Sequence, residues 1–145
     1  MKELEQSLLL FYTRITRRAQ ELERSKMANM SRIQQNLKQM LVHVDKAHDA
    51  LTANGSLARF GELLGETWKE KRQLDAGVSA PEIDQLYQTG MRAGAIGGKL
   101  LGAGGGGFML LFVPPERQAA VRAALKGYHE VPFAINAPGS TVVHS

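Results

Sequence analysis

"KLLGAGGGGFMLLFV", residues Lys99 to Val113, sets five glycines in six positions between two apolar runs. Each of those glycines loses more backbone entropy on folding than an alanine would, about 0.5–1 kcal/mol apiece. Gly102, Gly104 and Gly107 spell G-x-G-x-x-G, but dinucleotide binding needs a helix opening at the last glycine, whose amides meet the pyrophosphate. The continuation "FMLLFV" is a strand. Gly102 and Gly107 also carry Walker A spacing, yet Phe108 and Met109 stand where lysine and serine or threonine are required. What remains is a strand, a glycine loop and a second strand. Without side chains in the way, successive amides can converge on an anion, or a neighbouring loop can approach the backbone closely. The alternative is that the glycines only turn a hairpin, although a two-residue turn needs just one or two of them. Lys99, at the loop entry, is either a phosphate partner or a solvated lysine at a strand end.

Working outward, "SLLLFYT" (Ser7–Thr13) is a short apolar run that reads as a strand buried on both faces. From about Thr16 to Asn54 the pattern turns helical, with Ala19, Leu22, Met30, Ile33, Leu37, Leu41 and Val44 recurring at three- and four-residue steps and a break near Ser25 to Ser31. Asn54 to Ser56 is a turn. Ser56 caps the next helix, on which Leu57, Phe60, Leu64 and Trp68 form one stripe and which ends near Leu74. Ser79 and Glu82 have capping-box spacing around Pro81, and Ile83, Leu86 and Tyr87 face the core. Gly94, Gly97 and Gly98 punctuate the chain after that helix. In "PPERQAAVRAALKG" the prolines begin a helix and Gly127 ends it, with Val121, Ala124 and Leu125 inward. The tail reads as two short strands separated by a turn around Pro138 and Gly139, and Pro132 makes the first an edge strand or a bulged one. Helices between and after hairpin-joined strands predict an α+β fold with a largely antiparallel sheet.

The 145 residues fit one domain with a core of its own, and no repeat, low-complexity stretch or linker divides them. Having no cysteine, the chain is without thiolate catalysis, thiolate metal sites and disulfides, which is compatible with a reducing cytosol. The apolar run Leu8 to Tyr12 is too brief for a signal core or a membrane span. A cytoplasmic protein with no membrane partner is therefore expected. The net charge of +4 and pI near 9.6 would permit nucleic-acid binding, but the basic residues are interleaved with acids rather than clustered. Small anionic substrates, not nucleic acid, suit that distribution.

The remaining chemistry-bearing residues have two readings each. Lys69, Lys71 and Arg72 straddle a helical turn, as a solvated face or a phosphate contact. Trp68 is a sugar-stacking platform or a packing residue of the core or a domain interface. His43 and His48, five apart, miss the i, i+4 spacing that puts two ligands on one helix face, even with Asp45 and Asp49 nearby. Glu82 and Asp84 lie in a capping context, and no pair reads as general acid and base.

"GGKLLGAGGGGFMLLFV" resembles the third conserved motif of the GHMP kinases, the superfamily of galactokinase, homoserine kinase, mevalonate kinase and phosphomevalonate kinase. Together with "LLLFYTRITRRAQEL", "FGELLGETWKEKRQL", "VSAPEIDQLYQTGMRAGAIGGKLLGAGGGG" and "PFAINAPGSTVVHS", it is most similar within them to the sugar kinases acting on D-glycero-D-manno-heptose 7-phosphate. The resemblance extends over nearly all of the chain but only the C-terminal half of such an enzyme. It implies a ferredoxin-like α+β domain, with ATP and Mg²⁺ bound mainly by an N-terminal domain whose phosphate loop and catalytic aspartate and lysine are not in this sequence. No catalytic residue is then expected here, and the isolated chain should be inactive. The alternatives are another GHMP sugar kinase, fucokinase-like or galactokinase-like, and a non-catalytic ferredoxin-like ligand-binding module. The resemblance further implies that Lys99 and the loop Gly102, Ala103, Gly104, Gly105, Gly106 and Gly107 help form the substrate and phosphate side of the cleft. Arg17, between strand and helix, is placed to reach a sugar phosphate in bidentate fashion. Arg14 stands where relatives often have a small residue.

Overall fold

The computed structural model describes residues 2–15, 30–52, 55–74, 76–102 and 105–135. In chain order these form α1 (Lys2–Gln6), β1 (Leu8–Tyr12), α2 (Met30–Thr52), α3 (Leu57–Leu74), a 3-10 turn (Ala76–Val78), α4 (Pro81–Ala93), β2 (Gly97–Leu100), β3 (Phe108–Phe112), a second 3-10 turn (Pro115–Arg117), α5 (Gln118–Ala124) and β4 (His129–Glu130). The expected α+β architecture is the one found. The four strands pair antiparallel in the order β2-β3-β1-β4, with helices between β1 and β2 and between β3 and β4, as in the split βαβ arrangement of ferredoxin-like folds.

Two-residue alternation decides which face each strand residue serves. Leu9 and Phe11 of β1, Met109 and Leu111 of β3 and Leu100 of β2 share one face, buried with Ile83 and Leu86 of α4 and Val121 and Leu125 of α5. Leu8 and Phe112, opposite each other in register, take the other face with Leu4 of α1 and Leu57, Phe60 and Leu64 of α3. Each fully buried side chain of this size is worth about 1.5–3 kcal/mol over its exposed state. A helix layer thus lies on each side of the sheet. The ladders run past the strand ends through Val113 N–H to the Ser7 carbonyl at 2.7 Å and Val131 N–H to the Leu10 carbonyl at 2.8 Å. Pro132, which has no N–H to donate, directly follows the latter bond, and β4 is an edge strand as its position predicts.

Several local expectations are corrected. The capping box does not form: Ala80 is the N-cap of α4, at φ −139° and ψ 158°, and no side chain caps it. Pro81 at the first helical position forces the preceding residue into the extended region, which moves the helix start one residue beyond Ser79. Ser79 Oγ instead donates to Asp84 Oδ1 at 2.7 Å. Gly97 and Gly98 do not punctuate a loop but lie inside β2, where α3 crosses close to the strand. Ala124 is exposed, because Val121 and Leu125, four residues apart, take the inner face of α5. α1 was not anticipated, since five residues are too few to display a period. Most of the Ser25 to Ser31 break and the turn at Pro138 and Gly139 lie outside the described residues.

Candidate functional site

The hairpin between β2 and β3 is closed by Leu101 N–H donating to the Phe108 carbonyl at 2.8 Å. Beyond that bond the glycine loop is tied to three separate parts of the chain. Gly105 N–H donates to the Val78 carbonyl at 2.9 Å, and Gly107 N–H to the Ile15 carbonyl at 3.0 Å. The Gly107 carbonyl accepts from both the backbone N–H and the hydroxyl of Thr13, each at 2.9 Å. Lys71 Nζ, from the last turn of α3, donates to the Gly102 carbonyl. Of the two uses open to a side-chain-free loop, the described residues therefore show the second. Gly105 and Gly107 spend their amides on their own chain, and the residues following β1 lie directly against the loop backbone. A Cβ on Gly106 would stand 2.2 Å from the Ile15 carbonyl oxygen, so the approach requires glycine there.

The segment that approaches is itself strained. Arg14 has φ 61°, a left-handed conformation uncommon outside glycine, held by Ile15 N–H donating to Thr13 Oγ1 at 3.3 Å. Glycine at this position escapes a strain of about 1–2 kcal/mol while adding about 0.5–1 kcal/mol of backbone entropy to be lost. Arg14→Gly is accordingly expected to raise stability by roughly 0.5–1 kcal/mol, read from the midpoint of urea unfolding; a lower midpoint would contradict it.

The cations are distributed differently from their sequence grouping. Lys71 reaches the loop, whereas Lys69 is exposed and Arg72 Nη2 pairs with Asp84 Oδ2 at 2.9 Å. Asp84 therefore joins α3 to the start of α4 rather than capping a helix. Lys99 is half-buried, its ammonium pKa lowered by desolvation, and it lines a cavity of about 330 Å³ with Leu37, Leu41 and Val44 of α2 and Leu64 of α3. Trp68 is 1% exposed and packs in the main core, which removes the stacking-platform reading. The histidines do not converge. His43 Nε2 lies 2.9 Å from Glu70 Oε1 on α3, while His48 is exposed beside Asp49. Ala103, Gly104 and Arg17 lie outside the described residues. The residues that sequence reasoning missed are Thr13, Ile15 and Val78, whose part comes from contacts distant in the chain and leaves no mark in spacing.

The family model for the C-terminal region of GHMP kinases matches residues 47–130, which include the whole hairpin. The chain belongs to the GHMP kinases. Curated GHMP relatives include the D-glycero-alpha-D-manno-heptose 7-phosphate kinase of Campylobacter jejuni, 35% identical over 129 residues that make up 86% of this chain and 37% of that protein. The L-fucokinase/L-fucose-1-P guanylyltransferase of Bacteroides fragilis is 36% identical over 118 residues, 79% of this chain and 12% of that protein. Among solved GHMP structures, the mevalonate kinase of L. major in complex with R-mevalonate superposes with a TM-score of 0.74 at 26% identity, covering 83% of this chain and 37% of that one. The chain thus spans little more than a third, or less, of the relatives it matches.

GHMP kinases use ATP. The Gly105 and Gly107 amides are already bonded, and among the described residues no cluster of three or more His, Asp or Glu side chains could hold a metal ion. No helix among them is long and apolar enough to cross a membrane.

Proposed function

We propose that residues 1–145 are one unit, the C-terminal domain of an ATP-dependent sugar-phosphate kinase whose acceptor is the anomeric hydroxyl of D-glycero-D-manno-heptose 7-phosphate. The observation that carries this reading is the 35% identity to a heptose 7-phosphate kinase across 86% of the chain. ATP and Mg²⁺ belong in this reading to an N-terminal domain, and so do the groups that activate the acceptor hydroxyl. Phosphoryl transfer depends on positioning and on charge stabilisation around the transferred group. The part of this domain is therefore to shape the cleft. Gly102, Gly105 and Gly107 of its loop, bonded to Lys71, Val78 and Ile15, present backbone against which a substrate and the neighbouring domain can close. Arg17 is assigned the sugar phosphate. Lys99 is left to the cavity its side chain lines, and Lys71 is the lysine at the loop. The reading places the protein in the cytoplasm, without nucleic-acid or membrane partners.

A second reading, an L-fucose kinase, is favoured by the 36% identity over 118 residues to the fucokinase. Both are tested by supplying the chain with a cognate N-terminal half, fused or mixed, and measuring ADP release over heptose 7-phosphate, fucose, galactose and mevalonate. Release dependent on heptose 7-phosphate is expected, and release with fucose instead replaces the substrate. The isolated chain should hydrolyse no ATP; robust hydrolysis would show that it needs no second domain.

A further inference from the structure

Among the described residues, most of the exposed large apolar side chains lie on α2. Leu37, Leu41, Val44 and Leu51 are 52%, 62%, 61% and 44% exposed, and His48 is exposed between the last two. Isolated exposed apolar residues are ordinary, but a continuous stripe along one helix marks an interaction site. The positions 37, 41, 44, 48 and 51 advance by four, three, four and three residues. This is the seam of a two-stranded coiled coil, with Leu37, Val44 and Leu51 at d and Leu41 and His48 at a. On one flank the seam borders the groove between α2 and α3, where Leu37, Leu41 and Val44 line the cavity together with the half-buried Met40 and Ala47. The other flank, the e positions, carries Lys38 and Asp45, both exposed and neither in an ion pair within the chain among the described residues.

We propose that this face binds a second copy of the chain, α2 against α2, antiparallel about a two-fold axis between residues 42 and 43. The four central layers then complement one another, and Leu51 falls beside the second copy's Gln34 at the end of the seam. Leu41 meets the second copy's Val44, and Leu37 meets its His48, each layer occurring twice, as an isologous interface requires. In antiparallel helices e positions face e positions, so Lys38 of each copy falls beside Asp45 of the other, giving two opposite-charge contacts. A parallel pairing sets Met40 beside Asp45 and Ala47 beside Thr52 instead, and leaves both charges without an opposite. The charge pattern thus matches a second copy of the chain and favours the antiparallel direction over the parallel one.

Sedimentation equilibrium of the 145-residue chain at physiological salt, over a series reaching several hundred micromolar, should show a monomer–dimer equilibrium. Leu41→Glu, with its helical circular dichroism intact, should weaken the dimer at least about 100-fold by burying carboxylates in apolar layers. Lys38→Glu and Asp45→Lys should each weaken it about three- to tenfold. Mixing these two single variants in equal amounts should give a heterodimer within about twofold of the original strength, because both charge contacts reappear across it. A chain that stays monomeric throughout, or a dimer indifferent to the swaps, overturns the proposal. So does a kinase N-terminal half that dissolves the dimer by forming a one-to-one complex sensitive to Leu41→Glu, since the face would then belong to the rest of the enzyme.

Discussion

Replacing Gly97 with alanine is expected to destabilise the chain by about 3–4 kcal/mol, against the 1–3 kcal/mol of an ordinary overpacked core. The added Cβ would stand 2.0 Å from the Gly61 carbonyl oxygen and 3.1 Å from the Gly65 backbone nitrogen, both on α3. A methyl meeting a side chain can be accommodated by a rotamer change, but here the obstacle is backbone. Relief requires α3 to lift from β2. That motion is resisted on the same helix by Phe60, whose ring lies 6.4 Å from that of Phe112, and by Leu64, both packed against the cluster of Leu4, Leu8 and Phe112. Gly61 is also closely approached, since its own Cβ would lie 2.6 Å from the Phe112 ring, which is itself buried. Small residues on both partners therefore set the distance between helix and sheet, and the apolar cluster beside them depends on that distance. Urea unfolding measures the effect. Gly127→Ala is the control, because nothing lies within 4 Å of a Cβ at that position. A loss below about 1 kcal/mol at Gly97, no larger than an ordinary surface change, would show that α3 can shift without cost.

The same residues show how far the fold could be read in advance. β1 was legible because five consecutive apolar residues with aromatics, flanked by polar ones, have the length of a covered strand and not of a helix, and the hairpin because a glycine loop between apolar runs leaves no room for a helix. Of the stripe Leu57, Phe60, Leu64 and Trp68, legible from its period, the first three pack on the face of Leu8 and Phe112, while Trp68 joins the main core instead. Gly97 and Gly98 were misjudged because a glycine demanded by a distant backbone looks, in sequence, like one demanded by a local turn. The start of α4 was misplaced by one residue because Ser79 matched a side-chain signature, while the backbone obeyed the restriction Pro81 puts on its predecessor. At the candidate site the loop itself was legible and its partners were not. Val78, Ile15 and Lys71 come from three different segments, and a hydrogen bond between segments has no periodic signature. Lys99 adjoins the loop in the chain, and strand alternation turns its side chain to the side lined by α2 and α3, a placement adjacency alone does not reveal.

That loop carries the second large effect. In the kinase completed by its N-terminal half, Gly106→Val is expected to lower kcat/KM at least about 100-fold, nearly 3 kcal/mol of transition-state stabilisation, while the unfolding midpoint of the domain moves little. The Cβ would lie 2.2 Å from the Ile15 carbonyl oxygen and 3.2 Å from the Ile15 side chain. The loop must therefore swing away from the residues after β1, breaking the bond from Gly107 N–H to the Ile15 carbonyl and the two from Thr13 to the Gly107 carbonyl. Such bonds at a partly solvated loop contribute about 0.5–1.5 kcal/mol each, and water can replace much of that once the loop is displaced. The glycine loop supplies no side chain to the main core of Leu9, Phe11 and Leu111. Position is different, because a displacement of about 1 Å can cost 100-fold in a reaction that relies on alignment. The expected signature is a folded protein with lost turnover, the reverse of Gly97→Ala, in which turnover falls only as far as the folded fraction does. If Gly106→Val keeps full kcat/KM with every acceptor that the complete enzyme uses, the loop only turns the hairpin, and the cleft wall must be sought elsewhere on the domain.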